Sequence, residues 1–277
     1  MTEFIDIDGG RIAYDVTGEG PTVLLAAGMG NTRDAYRFLA PKIVAAGYRV
    51  VNVDLRGHGE SSMGWPSYTR TDTANDLLAV IRKVGGPVVV VGNSFSGGSA
   101  TIMAAKAPEL VTAIVEMCPF TRPPKVDVLA LLRNSRHRKG VLLLMRTGMA
   151  GSVKTWTRYL DHAYPGPKPA DYQANLAELQ VNLRAGAMTA ARKMGLSQPT
   201  DAQAELANVH CPALIMMGTL DPDWPDPEAE AKGIVAAMPE GVARYVLIEG
   251  AGHYPHVQYP DQVAAALLPF LAEHIHA

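Results

Sequence analysis

From residue 1 to 119, apolar positions follow two recurring patterns. Thr2–Asp8 and Arg11–Thr17 alternate polar and apolar residues, which predicts two strands joined at Gly9-Gly10. Thr22–Ala26, Arg49–Val53 and Val88–Val91 are short, nearly unbroken apolar runs. Such runs predict strands buried on both faces, as in a parallel sheet with helices on each side. Between them, Asp34–Ala46 reads as a helix ended by Gly47. Thr71–Val84 places Ala74, Leu77, Leu78 and Ile81 on one stripe, and Gly85-Gly86 stops that helix.

The pattern breaks after Pro119. No strand signal occurs from Phe120 to Val209, and helical patterns cover Val128–Asn134, Gly140–Thr147, Val153–His162, Ala170–Ala185 and Ala187–Met194. Proline-rich joints, Arg122-Pro123-Pro124 and Tyr164-Pro165-Gly166-Pro167-Lys168-Pro169, separate some of them. A segment this long is not a loop in a compact domain. It is expected to be an inserted helical cap, 120–209, lying over a core made of 1–119 and 210–277. The strand pattern resumes at Cys211–Met217 and Tyr245–Ile248.

Three of the apolar runs end in chemistry. Val88–Val91 leads into Gly92-Asn93-Ser94-Phe95-Ser96-Gly97-Gly98 and then a helix-forming run. This predicts a sharp strand-to-helix turn that lifts the Ser94 hydroxyl to a helix N-terminus. A serine hydroxyl needs an imidazole to take its proton and a carboxylate to orient that imidazole. Leu214–Gly218 runs into a loop carrying Asp221, and Tyr245–Ile248 runs into Glu249-Gly250-Ala251-Gly252-His253. Loops that follow parallel strands gather at one rim of a sheet, so Ser94, Asp221 and His253 are expected to meet there. Ser96 is the competing hydroxyl, His256 the competing base, and Glu116, at the end of Ala113-Ile114-Val115, the competing acid. His58 is read as a locally bonded loop residue, Asp54 and Arg56 as polar supports beneath the site, and Asp223 and Asp226 as turn and helix-cap residues before Pro227.

With these residues, the stretch Leu24-Leu25-Ala26-Ala27-Gly28-Met29-Gly30 and the stretch Val51-Asn52-Val53-Asp54-Leu55-Arg56-Gly57-His58-Gly59-Glu60-Ser61-Ser62, the sequence resembles the α/β-hydrolases from about Phe4 to Ile275. The resemblance implies an eight-stranded, mostly parallel, twisted sheet with helices on both faces. It implies an oxyanion hole made by the backbone N–H groups of Met29 and Phe95. It also implies chemistry at Ser94, His253 and Asp221. Three features depart from the family pattern: Ser96 fills the fifth place of Gly-x-Ser-x-Gly, Ala27-Gly28 stands where His-Gly is frequent, and Glu116 ends a strand from which some relatives take their catalytic acid.

Bulk properties narrow the field. The chain has 277 residues, 48% of them hydrophobic, and a net charge of −2. That allows one large domain with an insertion, and gives no ground for a nucleic-acid or membrane partner. The basic stretch Arg133–Lys139 is short and reads as a solvated helix end. The N-terminus lacks the charged and apolar regions of a signal peptide, and no run nears the roughly 20 apolar residues of a membrane span. Cys118 and Cys211 lack metal-ligand spacing and read as thiols in a reducing compartment, so the cytoplasm is the expected location. The histidines show no metal-binding pattern, with His274 and His276 in the C-terminal tail, and no nucleotide-binding loop occurs. No cofactor is expected.

Cap residues such as Leu142, Leu144, Met145, Met149, Trp156 and Met188 are expected mainly to pack cap helices together, some reaching substrate. With Gly28, Met29, Phe95 and Trp224 they predict an apolar pocket for a small, moderately hydrophobic ester-like substrate. The leading expectation is a serine hydrolase of carboxylic esters or lactones acting through an acyl-enzyme. Hydrolysis of a carbon–carbon bond in ring-cleavage products, peroxide-dependent halogenation and a ligand receptor on the same scaffold are the alternatives. Epoxide hydrolysis and dehalogenation are disfavoured, because they use a carboxylate nucleophile.

Overall fold

In a computed structural model describing residues 1–124 and 127–275, eight strands form one sheet. They are β1 (Thr2–Ile7), β2 (Gly10–Thr17), β3 (Thr22–Ala26), β4 (Arg49–Val53), β5 (Val88–Asn93), β6 (Val111–Met117), β7 (Ala213–Gly218) and β8 (Ala243–Ile248). Their order is β1-β2-β4-β3-β5-β6-β7-β8. β2 pairs antiparallel with β1 and with β4, and the remaining pairs are parallel.

Both faces of the sheet are covered, and the apolar runs show why. Every residue of β3, β5 and β7 is buried. Leu24, Ala26, Val88 and Val90 point into one core, while Val23, Leu25, Val89 and Val91 point into the other. Helices Arg70–Val84 and Phe95–Lys106 lie against the first core, and Pro260–His274 against the second. Thr69 caps Arg70–Val84 with a full capping box to Asp72. The helix expected over 34–46 is instead a 3-10 turn, Arg33–Tyr36, followed by a short helix, Ala40–Ala45. Pro41 accounts for the break: it lacks an N–H and suits only the first turn of a helix.

Strand order fixes where a site forms. From β3 the chain moves outward to β4, then crosses back over β3 to β5. The loops after β3 and β5 therefore diverge at adjacent strands, which opens a crevice at that rim. Residues Ala27–Gly30 follow β3, and Ser94 follows β5.

Between β6 and β7 the described residues form helices and no strand: Val128–Arg133, Ser135–Ala150, Val153–Ala163, Tyr172–Asn182, Met188–Leu196 and Thr200–Glu205. Leu143, Trp156, Tyr159, Leu160, Leu183 and Met188 form a third core that also takes in Tyr254 and Val257. The helical segment is thus packed onto the loop that carries His253. Leu142, Met145 and Met149 face outward instead, at 47%, 57% and 73% exposure, so they do not join the helices as the apolar stripe suggested. The basic stretch is not a single solvated end either. Asn134 divides two helices within it, and His137 is buried with Nδ1 3.0 Å from the Pro222 carbonyl. No described helix is long and apolar enough to cross a membrane. His276 lies outside the described residues.

Candidate active site

Ser94 sits at the apex of a strained turn. Its φ of 55° is left-handed, a conformation costing a non-glycine residue about 1–3 kcal/mol. Three backbone bonds hold it there. Its N–H donates to the Met117 carbonyl at 2.9 Å, and its carbonyl accepts from Gly97 and Phe120 at 3.1 Å each. Gly92 makes the turn possible, since a Cβ there would stand 2.4 Å from the Ser96 carbonyl oxygen. Helix Phe95–Lys106 begins at the next residue. First-turn N–H groups have no partner within a helix, so the Phe95 N–H is placed to meet negative charge beside Ser94. Ser96 is no rival nucleophile. It is fully buried, and its hydroxyl donates to the Ala27 carbonyl at 2.5 Å, tying the two loops together.

The loop after β3 lies directly against the serine. A Cβ on Gly28 would come within 2.9 Å of the Ser94 Cβ, so only glycine allows this approach. His58 fixes the loop from below: Nε2 accepts from the Gly30 N–H at 2.8 Å while Nδ1 donates to the Arg56 carbonyl at 3.0 Å. Burial pushes this imidazole down to about 4, which keeps Nε2 free to accept. The reading of His58 as locally bonded agrees with this, and its partner is the loop expected to hold the oxyanion. Asp54 accepts from the Arg33 and Glu60 N–H groups, and Arg56 pairs with Asp76, so both act as supports.

His253 Nδ1 lies 2.9 Å from Asp221 Oδ2, both fully enclosed. The residue is anchored through its backbone, the His253 amide N–H donating to the Ala163 carbonyl at 3.1 Å. Its carbonyl accepts from Asn93 Nδ2 at 3.2 Å, which joins the His253 loop to the residue before Ser94. The remaining ring nitrogen, Nε2, is the one left for a substrate-side proton. The Ser94 hydroxyl is not hydrogen-bonded to it in this structure; in ligand-free sites that bond is frequently long and tightens with substrate. His256 is stacked on Tyr36, ring centroids 4.7 Å apart, and burial holds it down at about 3. Glu116 donates nothing to the site. Its carboxylate takes the Thr101 hydroxyl of helix Phe95–Lys106, and burial raises its pKa to about 8.

Asp223 lies in a turn, as its spacing suggested, but its side chain also reaches His253. It is buried, with Oδ2 3.3 Å from His253 Nδ1, and accepts the Tyr159 hydroxyl at 2.7 Å. Its N–H donates to Asp221 Oδ1 at 3.0 Å. One imidazole nitrogen therefore faces two carboxylates. Burial disfavours the imidazolium, but Asp221 and Asp223 together outweigh it and raise the His253 pKa to about 9. Burial first, and Asp221 in addition, raise Asp223 to about 6 against the pull of His253. The signal was present in Asp221-Pro222-Asp223, but spacing alone could not say which way the second carboxylate faced. Asp226 does cap its helix, accepting from Ala229 at 3.0 Å.

Cys118 also reaches this cluster. Its sulfur, an Asp221 oxygen and a His253 nitrogen lie within 4.8 Å of one another. Burial holds the thiol protonated, and it accepts from the Gly218 N–H at 3.4 Å. Asp221 and His253 are committed to each other, so the trio is a packed support rather than a set of free metal ligands.

A cavity of about 190 Å³ opens beside Ser94. Met29, Phe95, Phe120, Trp156 and Met188 line it, as does Arg70. Trp224 does not: its ring packs against Phe120 at 4.9 Å within the main core. Its expected place in the pocket is therefore corrected.

Known proteins resemble this one along its whole length. A proline iminopeptidase, PfmaB, of Pestalotiopsis fici is 24% identical over 290 residues, 95% of this chain and 96% of that protein. A 2-(acetamidomethylene)succinate hydrolase of Mesorhizobium japonicum is 26% identical over 282 residues, 96% and 94% of the two chains. An esterase of Exiguobacterium antarcticum superposes with a TM-score of 0.80 over 98% of this chain and 100% of its own, at 20% identity, a likeness of fold. The model of the alpha/beta hydrolase family matches residues 23–266, and the chain belongs to that family.

Proposed function

We propose that this hydrolase cleaves carboxylic esters or lactones through Ser94, with His253 as base and Asp221 as its orienting acid. The supporting observation is the pairing of a strained serine at a helix N-terminus with a buried His253–Asp221 bond of 2.9 Å. In the first step the Ser94 oxygen adds to the substrate carbonyl carbon, and its proton passes to His253 Nε2. The N–H groups of Met29 and Phe95 receive the oxyanion, each such donor being worth about 3 kcal/mol. Collapse of the adduct breaks the bond to the leaving oxygen, which takes the proton from His253. Water then gives a proton to His253 and adds to the acyl carbon, and the acid leaves as Ser94 regains its hydrogen. Asp221 holds Nδ1–H throughout and stabilises the imidazolium.

The helical segment, 120–209, acts in this reading as a cap on a core of 1–119 and 210–277. It supplies Trp156 and Met188 to the cavity, whose size suits a compact, moderately hydrophobic substrate. Neither a cofactor nor a macromolecular partner enters the reaction. The two cysteines are unpaired, which fits the cytoplasm.

Fluorophosphonate labelling together with turnover of short p-nitrophenyl esters tests the reading. The wild type should be labelled and cycle repeatedly, and Ser94→Ala should do neither while remaining folded. Consumption of ring-cleavage diketones without ester turnover would replace ester cleavage by carbon–carbon cleavage. A single slow turnover would point to a receptor.

A further inference from the structure

Arg70 opens the helix Arg70–Val84 and is 4% exposed, yet it lines the cavity beside Ser94. Its place is built. Gly98 leaves room for the stem, since a Cβ there would stand 2.6 Å from Arg70 Cδ. The guanidinium lies over the Phe95 ring, 4.3 Å from its centroid. Nε donates to the Phe120 carbonyl and Nη1 to the Ser197 carbonyl, both at 2.9 Å. Phe120 in turn donates its N–H to the Ser94 carbonyl, so the cation is held one residue's contact from the serine. Nη2 takes no part in these bonds.

The charge is not matched. Arg33, Arg37, Arg56 and Arg122 each meet a carboxylate directly, at 2.7 Å, 2.6 Å, 2.6 Å and 2.7 Å. Among the described residues no carboxylate comes within 4.0 Å of the Arg70 nitrogens. Asp201 acts on it only from farther away, its Oδ2 being engaged by the N–H and hydroxyl of Thr71. Burial accordingly lowers the guanidinium to about 10, with Asp201 opposing, which still leaves it charged at neutral pH. Among the described residues no Asp or Glu lines the cavity, and Arg192, which also lines it, is a cation as well. A buried cation without a counter-ion is costly, and it is relieved when an anion joins it.

We propose that the cavity takes substrates that carry a carboxylate, which pairs with Arg70 while the ester carbonyl lies at Ser94. This rests on the hydrolase reading above. Nε and Nη1 already hold backbone carbonyls, so a carboxylate would meet the guanidinium at Nη2 in a charge-assisted hydrogen bond. A cavity of about 190 Å³ limits the spacer to a few carbons. The substrate class is therefore the half-ester of a short dicarboxylic acid, or a lactone bearing an acid group.

Monomethyl glutarate and methyl pentanoate differ little except in the terminal carboxylate, and their hydrolysis is followed by pH-stat. Wild type should favour the acid ester in kcat/KM, and Arg70→Gln should lower the ratio of acid to neutral ester about ten- to hundredfold, as loss of one charge-assisted pair predicts. Arg70→Lys should keep part of the ratio. A wild-type ratio of one or less overturns the proposal without any variant. An Arg70→Gln that slows both esters equally also overturns it, and leaves Arg70 as a brace for the Phe120 and Ser197 carbonyls. Calorimetric binding of free glutarate to Ser94→Ala separates the two readings. Binding that Arg70→Gln removes, without turnover of either ester in wild type, upholds the carboxylate site and defeats ester cleavage. Turnover of both esters with no preference and no glutarate binding does the reverse.

Discussion

Asp223 Oδ2 stands 3.3 Å from His253 Nδ1, beside the 2.9 Å contact that Asp221 makes to the same nitrogen. Two buried carboxylates thus attract one imidazolium. Tyr159, on helix Val153–Ala163, donates to Asp223 at 2.7 Å, so the helical segment is linked to the proposed base, His253, through one hydroxyl and one carboxylate.

The arrangement predicts a pH profile. In the proposed mechanism only neutral His253 accepts a proton from Ser94, so kcat/KM should rise with pH as the imidazolium is lost. Its midpoint should lie above the ordinary histidine value of about 6.5, towards about 9. Asp223→Asn removes one negative charge that favours the imidazolium, and should move that limb to lower pH. A limb that stays in place would show that Asp223 does not act on the base.

The two acids should separate in rate. Asp221→Asn loses the shorter contact and leaves the wrong tautomer, and kcat should fall by roughly 10³–10⁴. Asp223→Asn should cost far less, because its oxygen is shared with Tyr159. Kinetics of both variants on one ester, each at its own pH optimum, checks the order. The opposite order would transfer the orienting role to Asp223.

Glu116 should matter for stability and not for turnover. Its folded pKa of about 8 lies above its ordinary 4.5, so the folded protein binds the extra proton. Stability should therefore drop as pH rises from 4.5 to 8. Glu116→Gln keeps the Thr101 contact without that charge. Its Tm should exceed wild type above pH 8, by about 2–4 °C for each kcal/mol of burial cost removed, with no gain near pH 4.5, while ester turnover persists. Loss of turnover with a normal Tm would make Glu116 part of the site.

Gly28→Ala should injure catalysis more than folding. The new Cβ would meet the Ser94 Cβ at 2.9 Å and Asn93 Oδ1 at 3.0 Å, displacing the loop that carries the Met29 N–H. A fall in kcat of about 10²–10³ is expected if that donor is lost. Unfolding curves close to wild type would accompany it. An unchanged kcat would remove Met29 from the oxyanion hole.

The sequence alone determined which residues the chain could use and where its strands lie. Unbroken apolar runs such as Val88–Val91 have one low-energy fate, burial on both faces, and the glycines after them mark where each run turns. That local logic made Ser94, Asp221 and His253 legible as candidates, since each follows such a run. Tertiary structure decided what local pattern could not encode: the directions of side chains brought together from distant segments. Asp223 is a turn residue in sequence and structure alike, and its second role shows only once His253 and Tyr159 are placed around it. Trp224 looks like a pocket wall until its ring is seen behind Phe120. Arg70 is one charge in a helix until Gly98, Phe95 and Ser197 hold it, buried and unmatched, against the cavity. Burial and counter-charge are properties of a packed neighbourhood, so the electrostatics of this site appear only once the chain has closed around it.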